Sequence, residues 1–172
     1  MNLHLAWEER KSDKLCRVPA NCAFTTQHSD PGKAQVEGAP PMAGLGMPNG
    51  GLQVVNPSTA VYNKIVSALA DPKTMEYEFA DQSLLSDVFP GRWVALPYIY
   101  NALKTMRWKG IHDAIWQDDK VKNIHYLLNP KPWDVPPEER GKEGLEESMR
   151  WWWEINDERL KSEKAEGIDD GF

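Results

Sequence analysis

At 172 residues the chain is long enough for one domain with a core and short for two, and an apolar fraction of 41% with eight tryptophans describes a folded protein. A formal charge of −6 excludes a protein built mainly to grip nucleic acid, which carries a basic surplus. No apolar run approaches the ~20 residues of a membrane helix, the opening residues do not read as a secretory signal, and Cys16 and Cys22 are too few for a disulfide framework and lack histidines at zinc-ligand spacing, so two structural or exposed thiols in the cytoplasm are expected.

Residues 1–18 are polar, mixed in charge and aperiodic, and read as an irregular start. From 19 to 48 the chain is rich in Pro, Gly, Ala, Ser and Gln, a composition for a long irregular segment. A loop of that length in a compact domain serves a site or lies outside the fold, and this one leads into Asn49-Gly50-Gly51. A short strand is expected over 52–55. Asn56-Pro57-Ser58 then opens a helix, with Asn56 as cap and Pro57 at the first helical position. Val61, Ile65 and Leu69 give that helix an apolar stripe before Asp71-Pro72 ends it. A second helix is expected over 81–88, stopped by Pro90-Gly91, and a strand over 93–96. The stretch 101–116 is irregular to helical, with Leu103, Met106 and Trp108 covering the core, and 122–127 is the last strand. Strands alternating with helices imply an α/β layer arrangement. The remainder, 136–172, is a charged helical tail in which Leu145, Met149, Trp152, Trp153 and Leu160 recur at helical spacing and Arg150 pairs with Glu154 four residues on. Three consecutive tryptophans cannot share one helix face, because each residue turns the side chain by about 100°. At least one is expected to pack against the domain rather than a partner.

Four short motifs carry the candidate chemistry. Asn49-Gly50-Gly51 either lets backbone approach a ligand closely or makes a turn. Asp81-Gln82 stands at a helix start, where capping explains a carboxylate and contact with sugar hydroxyls is the functional alternative. Asn101 follows Leu96-Pro97-Tyr98-Ile99-Tyr100. In Ile124-His125-Tyr126-Leu127-Leu128-Asn129-Pro130-Lys131-Pro132-Trp133, an imidazole ends an apolar run and an ammonium follows six residues later across a turn stiffened by prolines. A histidine at a strand end can ligate a divalent metal, and a lysine beyond it can meet phosphate charge. Each motif is weak singly.

In order and together, from about 19 to 133, they resemble the second half of the family-8 retaining glycosyltransferases, the group containing glycogenin and galactinol synthase, with a Trp-rich tail similar to fungal members. The resemblance implies the C-terminal part of a GT-A fold (a Rossmann-like nucleotide-diphospho-sugar transferase domain) spanning 19–135 without its N-terminal strands. It implies transfer of a hexosyl group from a UDP-sugar to a carbohydrate, polyol or protein hydroxyl with retention. It also implies Mn2+ with His125 as one ligand, Lys131 on the donor diphosphate, Asn49 and Gly51 on the donor, Asp81 and Gln82 at the reacting face and Asn101 on the acceptor side. Gly50 stands where a small polar residue is commoner and Leu128 where many members have glycine. The family's Asp-x-Asp motif should lie upstream, and residues 1–48 hold no such pair, Asp13 and Asp30 being isolated. The chain is therefore expected to be the later part of a longer enzyme, and the alternative is a non-catalytic remnant or interaction protein. No nucleic acid or membrane partner is expected, and the oligomeric state is left open.

Overall fold

The computed structural model describes residues 19–169. The irregular start expected over 1–18, Cys16 and Asp13 included, lies outside the described residues. Helices and turns surround a small parallel ladder, and among the described residues no helix is long and apolar enough to cross a membrane.

The segment 19–48 is less featureless than its composition suggests. It holds 3₁₀ turns at Pro19–Asn21 and Ala23–Gln27 and a single helical turn, α1 (Pro31–Ala34), whose cap Asp30 accepts from Lys33 N at 3.1 Å. Helix α2 (Thr59–Ala68) starts later than the motif suggests. Its cap is Ser58, accepting from Val61 N at 3.4 Å, rather than Asn56, so Pro57 lies outside the helix. The expected stripe of Val61, Ile65 and Leu69 is not a core face, because none of the residues of α2 is buried. What joins α2 to α3 (Ala80–Val88) is Lys64, whose Nζ donates to Val88 O at 2.8 Å and lies 4.8 Å from the Phe89 ring centroid.

The expected strands are mostly absent as ladders. Residues 53–58 and 92–97 form no ladder among the described residues, and the strand expected over 122–127 contracts to two residues. The physical reason is that a strand exists only through its partner's amides and carbonyls. One pair forms: β1 (Ala102–Leu103) lies parallel to β2 (Ile124–His125), with Ala102 opposite Ile124 and Leu103 opposite His125. Parallel neighbours need a long crossover, and the connection 104–123, opening on the 3₁₀ turn Lys104–Arg107, supplies it.

The main core gathers Ala34, Tyr98, Ile99, Ala102, Met106 and Ile115, with Leu103 and Trp116 packed against it. Met106 and Leu103 thus cover the core as expected, whereas Trp108 is 43% exposed and donates its Nε1 to Glu146 at 2.6 Å. A buried polar knot fixes this core. The Tyr98 hydroxyl lies 3.0 Å from both Gln35 Oε1 and Ile115 O and accepts from Gln117 N at 2.9 Å, while Gln35 Nε2 donates to Ile115 O.

The tail does form one long helix, α4 (Glu147–Glu166), closed by Gly167 in the left-handed conformation at φ +72°. Of the three tryptophans, Trp153 is buried with Met149 and Val135 in a second cluster, while Trp151 and Trp152 are half-buried. Arg150 and Glu154 pair at 2.6 Å. Trp116 packs on Tyr98 at 5.8 Å and donates to Asp118 at 2.5 Å, so its ring belongs to the fold's interior edge.

His112, 6% exposed, gives the fold a pH dependence. Burial first, and then the neighbouring His28, push its pKa from the ordinary 6.5 to about 4. The unfolded chain then binds more protons than the native one between those two values, so stability holds above about pH 6.5 and falls as pH drops towards 4. The urea midpoint is expected to decline over that window, and more shallowly in His112→Gln; an equal decline in both would remove His112 as a cause.

Candidate functional site

The sequence-selected residues come from four separate stretches of chain, and all but Lys131 meet around the turn Asn49-Gly50-Gly51. The Asn49 side chain is the hub: its Oδ1 accepts from Gly51 N at 2.9 Å, closing a local turn, and from Asn101 Nδ2 at 2.9 Å, reaching the residue that precedes β1. Gly50 N donates to Gln82 Oε1 at 2.8 Å, which ties the same turn to the first turn of α3. The glycines are there because neighbours fill the space a side chain would need. A Cβ on Gly50 would lie 2.5 Å from Asp81 Oδ2, and one on Gly51 would lie 2.7 Å from His125 Cε1 and 2.8 Å from its Nδ1.

Asp81 is not the helix cap. That position is Phe79, which contributes no side-chain bond, and Asp81 is an exposed carboxylate in the first turn of α3, where the helix dipole favours it. Gln82 spends its carbonyl oxygen on Gly50 and keeps its amide N–H groups as the donors it can offer elsewhere.

His125 ends β2, so its place is set by the ladder with Leu103. Its Nδ1 is buried and has no hydrogen-bond partner. Burial first, and then the nearby Lys131 charge, hold its pKa below the ordinary 6.5, which keeps the ring neutral and its nitrogens available as ligands. Lys131 is half-buried and donates its Nζ to Tyr126 O, folding the 126–131 loop back on itself. Two non-glycine residues among the described ones have positive φ, and both flank the site: Ala80 at +30°, beside Asp81, and Leu128 at +63°, between His125 and Lys131. Such positions cost roughly 1–3 kcal/mol and persist where the surroundings demand them. Leu128 stands in a conformation that glycine adopts freely.

Lys104 was not singled out by sequence. It is only 2% exposed, donates its Nζ to Pro130 O at 3.2 Å, and burial lowers its pKa, with Glu146 opposing and Lys131 adding to that shift. Two ammonium groups therefore serve one loop. The sequence signal was a lysine directly following the largely apolar run Tyr98-Ile99-Tyr100-Asn101-Ala102-Leu103. The rear of the loop is held by α4: Trp153 Nε1 donates to Pro132 O at 2.7 Å and the Tyr126 hydroxyl to Ser148 O at 2.6 Å.

An imidazole with one buried, unpartnered nitrogen, and with burial disfavouring its charged form, is suited to be one ligand of a divalent cation. Among the described residues no group of three His, Cys, Asp or Glu converges to hold one, so these residues do not make a metal site of their own. What the cluster offers chemically is an imidazole, a carboxylate and several amides around one turn, with two ammonium groups at the loop that follows His125, a set suited to an anionic, hydroxyl-rich ligand.

No family model matches the chain, and no solved structure does. It is similar to galactinol synthase 1 of Solanum lycopersicum, 30% identical over 123 residues, which is 69% of this chain and 37% of that protein. It is also similar to galactinol synthase 5 of Arabidopsis thaliana, 28% identical over 67% of this chain and 36% of that protein. Glycogenin of Komagataella phaffii is 21% identical over 122 residues, 62% of this chain and 30% of that protein. The chain thus spans about a third of the length of the curated relatives it matches.

Gly51→Ala is expected to push the His125 ring outwards, costing about 1–3 kcal/mol in urea unfolding. The imidazole titration followed by NMR should also move up towards 6.5. A variant with unchanged stability and an unchanged His125 titration would show that the turn and the ring are not in contact.

Proposed function

We propose that this chain is part of a family-8-like retaining glycosyltransferase, whose whole enzyme transfers a hexosyl group from a UDP-sugar to a hydroxyl acceptor. The observation that carries the reading is the convergence of the Asn49, Gln82, Asn101 and His125 side chains on one glycine turn, with the Lys131 charge acting on His125 and Lys104 and Lys131 both bound to the 126–131 loop. The similarity to galactinol synthases and a glycogenin supports the same reading.

In this proposal Lys131 and Lys104 meet the charge that grows on the departing nucleoside diphosphate, where fixed cations act most strongly. A buried ammonium with one carbonyl partner costs stability on its own account, and an anionic ligand would offset that cost. Asp81 and the Gln82 amide lie at the reacting face, Asn49 and Gly51 bound the donor sugar, and Asn101 faces the acceptor. His125 would hold Mn2+ together with groups from outside the described residues, the metal acting as a Lewis acid on phosphate oxygens.

Calorimetry of the full chain with UDP and UDP-glucose, with and without Mn2+, tests the reading. Saturable UDP binding is expected, weakened about tenfold or more by Lys131→Met or Lys104→Met, while Lys104→Met leaves the urea midpoint unchanged or higher. Absence of saturable binding under every condition would sink the reading. Binding without release of UDP in the presence of acceptor hydroxyls would favour the non-catalytic alternative for this chain.

A further inference from the structure

Away from the glycine turn, three titratable side chains form a chain of contacts that the proposed transfer does not use. Cys22 opens the 3₁₀ turn Ala23–Gln27, His28 closes it, and His112 comes from the 104–123 crossover. The Cys22 Sγ lies 3.1 Å from His112 Nε2, and His112 Nδ1 lies 2.8 Å from His28 Nε2. Both nitrogens of one imidazole are therefore engaged, one by a thiol and the other by a second imidazole. The Phe24 and His28 rings stand edge-on to His112 at 5.8 Å and 5.1 Å and fix its plane.

The burial pattern gives this chain a direction. His112 is buried and resists charge, whereas His28 and Cys22 are half-buried. A proton leaving the thiol can pass to His112 Nε2 only as the Nδ1 proton passes on to His28 Nε2. The central ring then ends neutral and the charge rests on the imidazole that water reaches. Asp113, whose Oδ1 accepts from Gly110 N at 3.0 Å, is the carboxylate that acts on His112, and it favours the protonated relay.

We propose that Cys22, His112 and His28 form a proton relay that makes Cys22 a nucleophilic thiol, a modification site for hydroperoxides. The thiolate attacks one peroxide oxygen, the O–O bond breaks and an S–O bond forms. Sulfur loses two electrons to give Cys22 sulfenic acid, and the departing hydroxide takes the relayed proton from His28 to leave as water. Thiolate, rather than thiol, is the reacting form.

The test follows Cys22 and Cys16 separately in the reduced full chain, by peptide mass spectrometry after timed iodoacetamide labelling across pH. Cys22 labelling is expected to have its midpoint below the ~8.5 of an ordinary thiol. At pH 7, His112→Phe should slow it by about tenfold or more and His28→Gln should slow it less, with Cys16 unchanged in each. Hydrogen peroxide with a sulfenic-acid trap should mark Cys22 in the parent chain and fade in both variants. His28 is half-buried, so its variant and the parent pH profile decide the matter even if His112→Phe unfolds. A Cys22 midpoint at or above ~8.5, or a rate that His28→Gln leaves unaltered, overturns the relay.

Discussion

The approach of the Gly51 backbone to the His125 ring is the contact on which the arrangement depends. It is closer than any residue with a Cβ allows, and it brings the turn at 49–51 within reach of β2 at the same time as Gln82 and Asn101 bind that turn from two other sides. One side chain, Asn49, serves both the turn's own amide and a distant amide group. The local conformation of the turn and its position in the fold are thus set by the same oxygen. Loss of the close contact would free the ring and remove the reason for a glycine at 51, while Asp81 independently requires one at 50.

The loop that carries Lys131 and receives the Lys104 ammonium is braced from the opposite direction. Tyr126, Pro132 and Trp153 join it to α4, and burial pushes the Tyr126 hydroxyl up to about 12, so it stays a neutral donor to Ser148 O across the ordinary pH range. The strained Leu128 lies between these anchors. The helix of the tail is therefore part of the site's support, and its tryptophans divide between holding the loop and covering the surface beside it.

Helices were legible in the sequence where spacing and stop signals are local, as before Pro90-Gly91 and in the periodic tail, even though neither helix has the side-chain cap a sequence reading looks for. The start of α2 was misread because Asn56 and Ser58 are both good caps and only the backbone selects between them. The strands at 52–55 and 93–96 were not legible as they occur, since pairing depends on a distant partner that no short run of residues encodes. The candidate residues were found as motifs, yet their meeting at one turn follows from contacts between residues tens of positions apart. Lys104 escaped notice for a related reason: nothing in its neighbours along the chain shows that the 126–131 loop covers it.

The stretches at 53–58 and 92–97, which join no ladder, have a consequence for handling the chain. Val54, Val55 and Val94 are 81%, 70% and 89% exposed, and the main chain beside them makes no ladder. Apolar side chains exposed on unpaired backbone invite association with a second copy, although Gly38 packs directly against the Ala95 carbonyl and covers the second stretch there. Pro57, Pro90 and Pro97 bracket the two stretches and lack the amide hydrogen that a growing sheet would need. Concentrated preparations would accordingly be governed by the balance between these adhesive valines and the prolines that interrupt them.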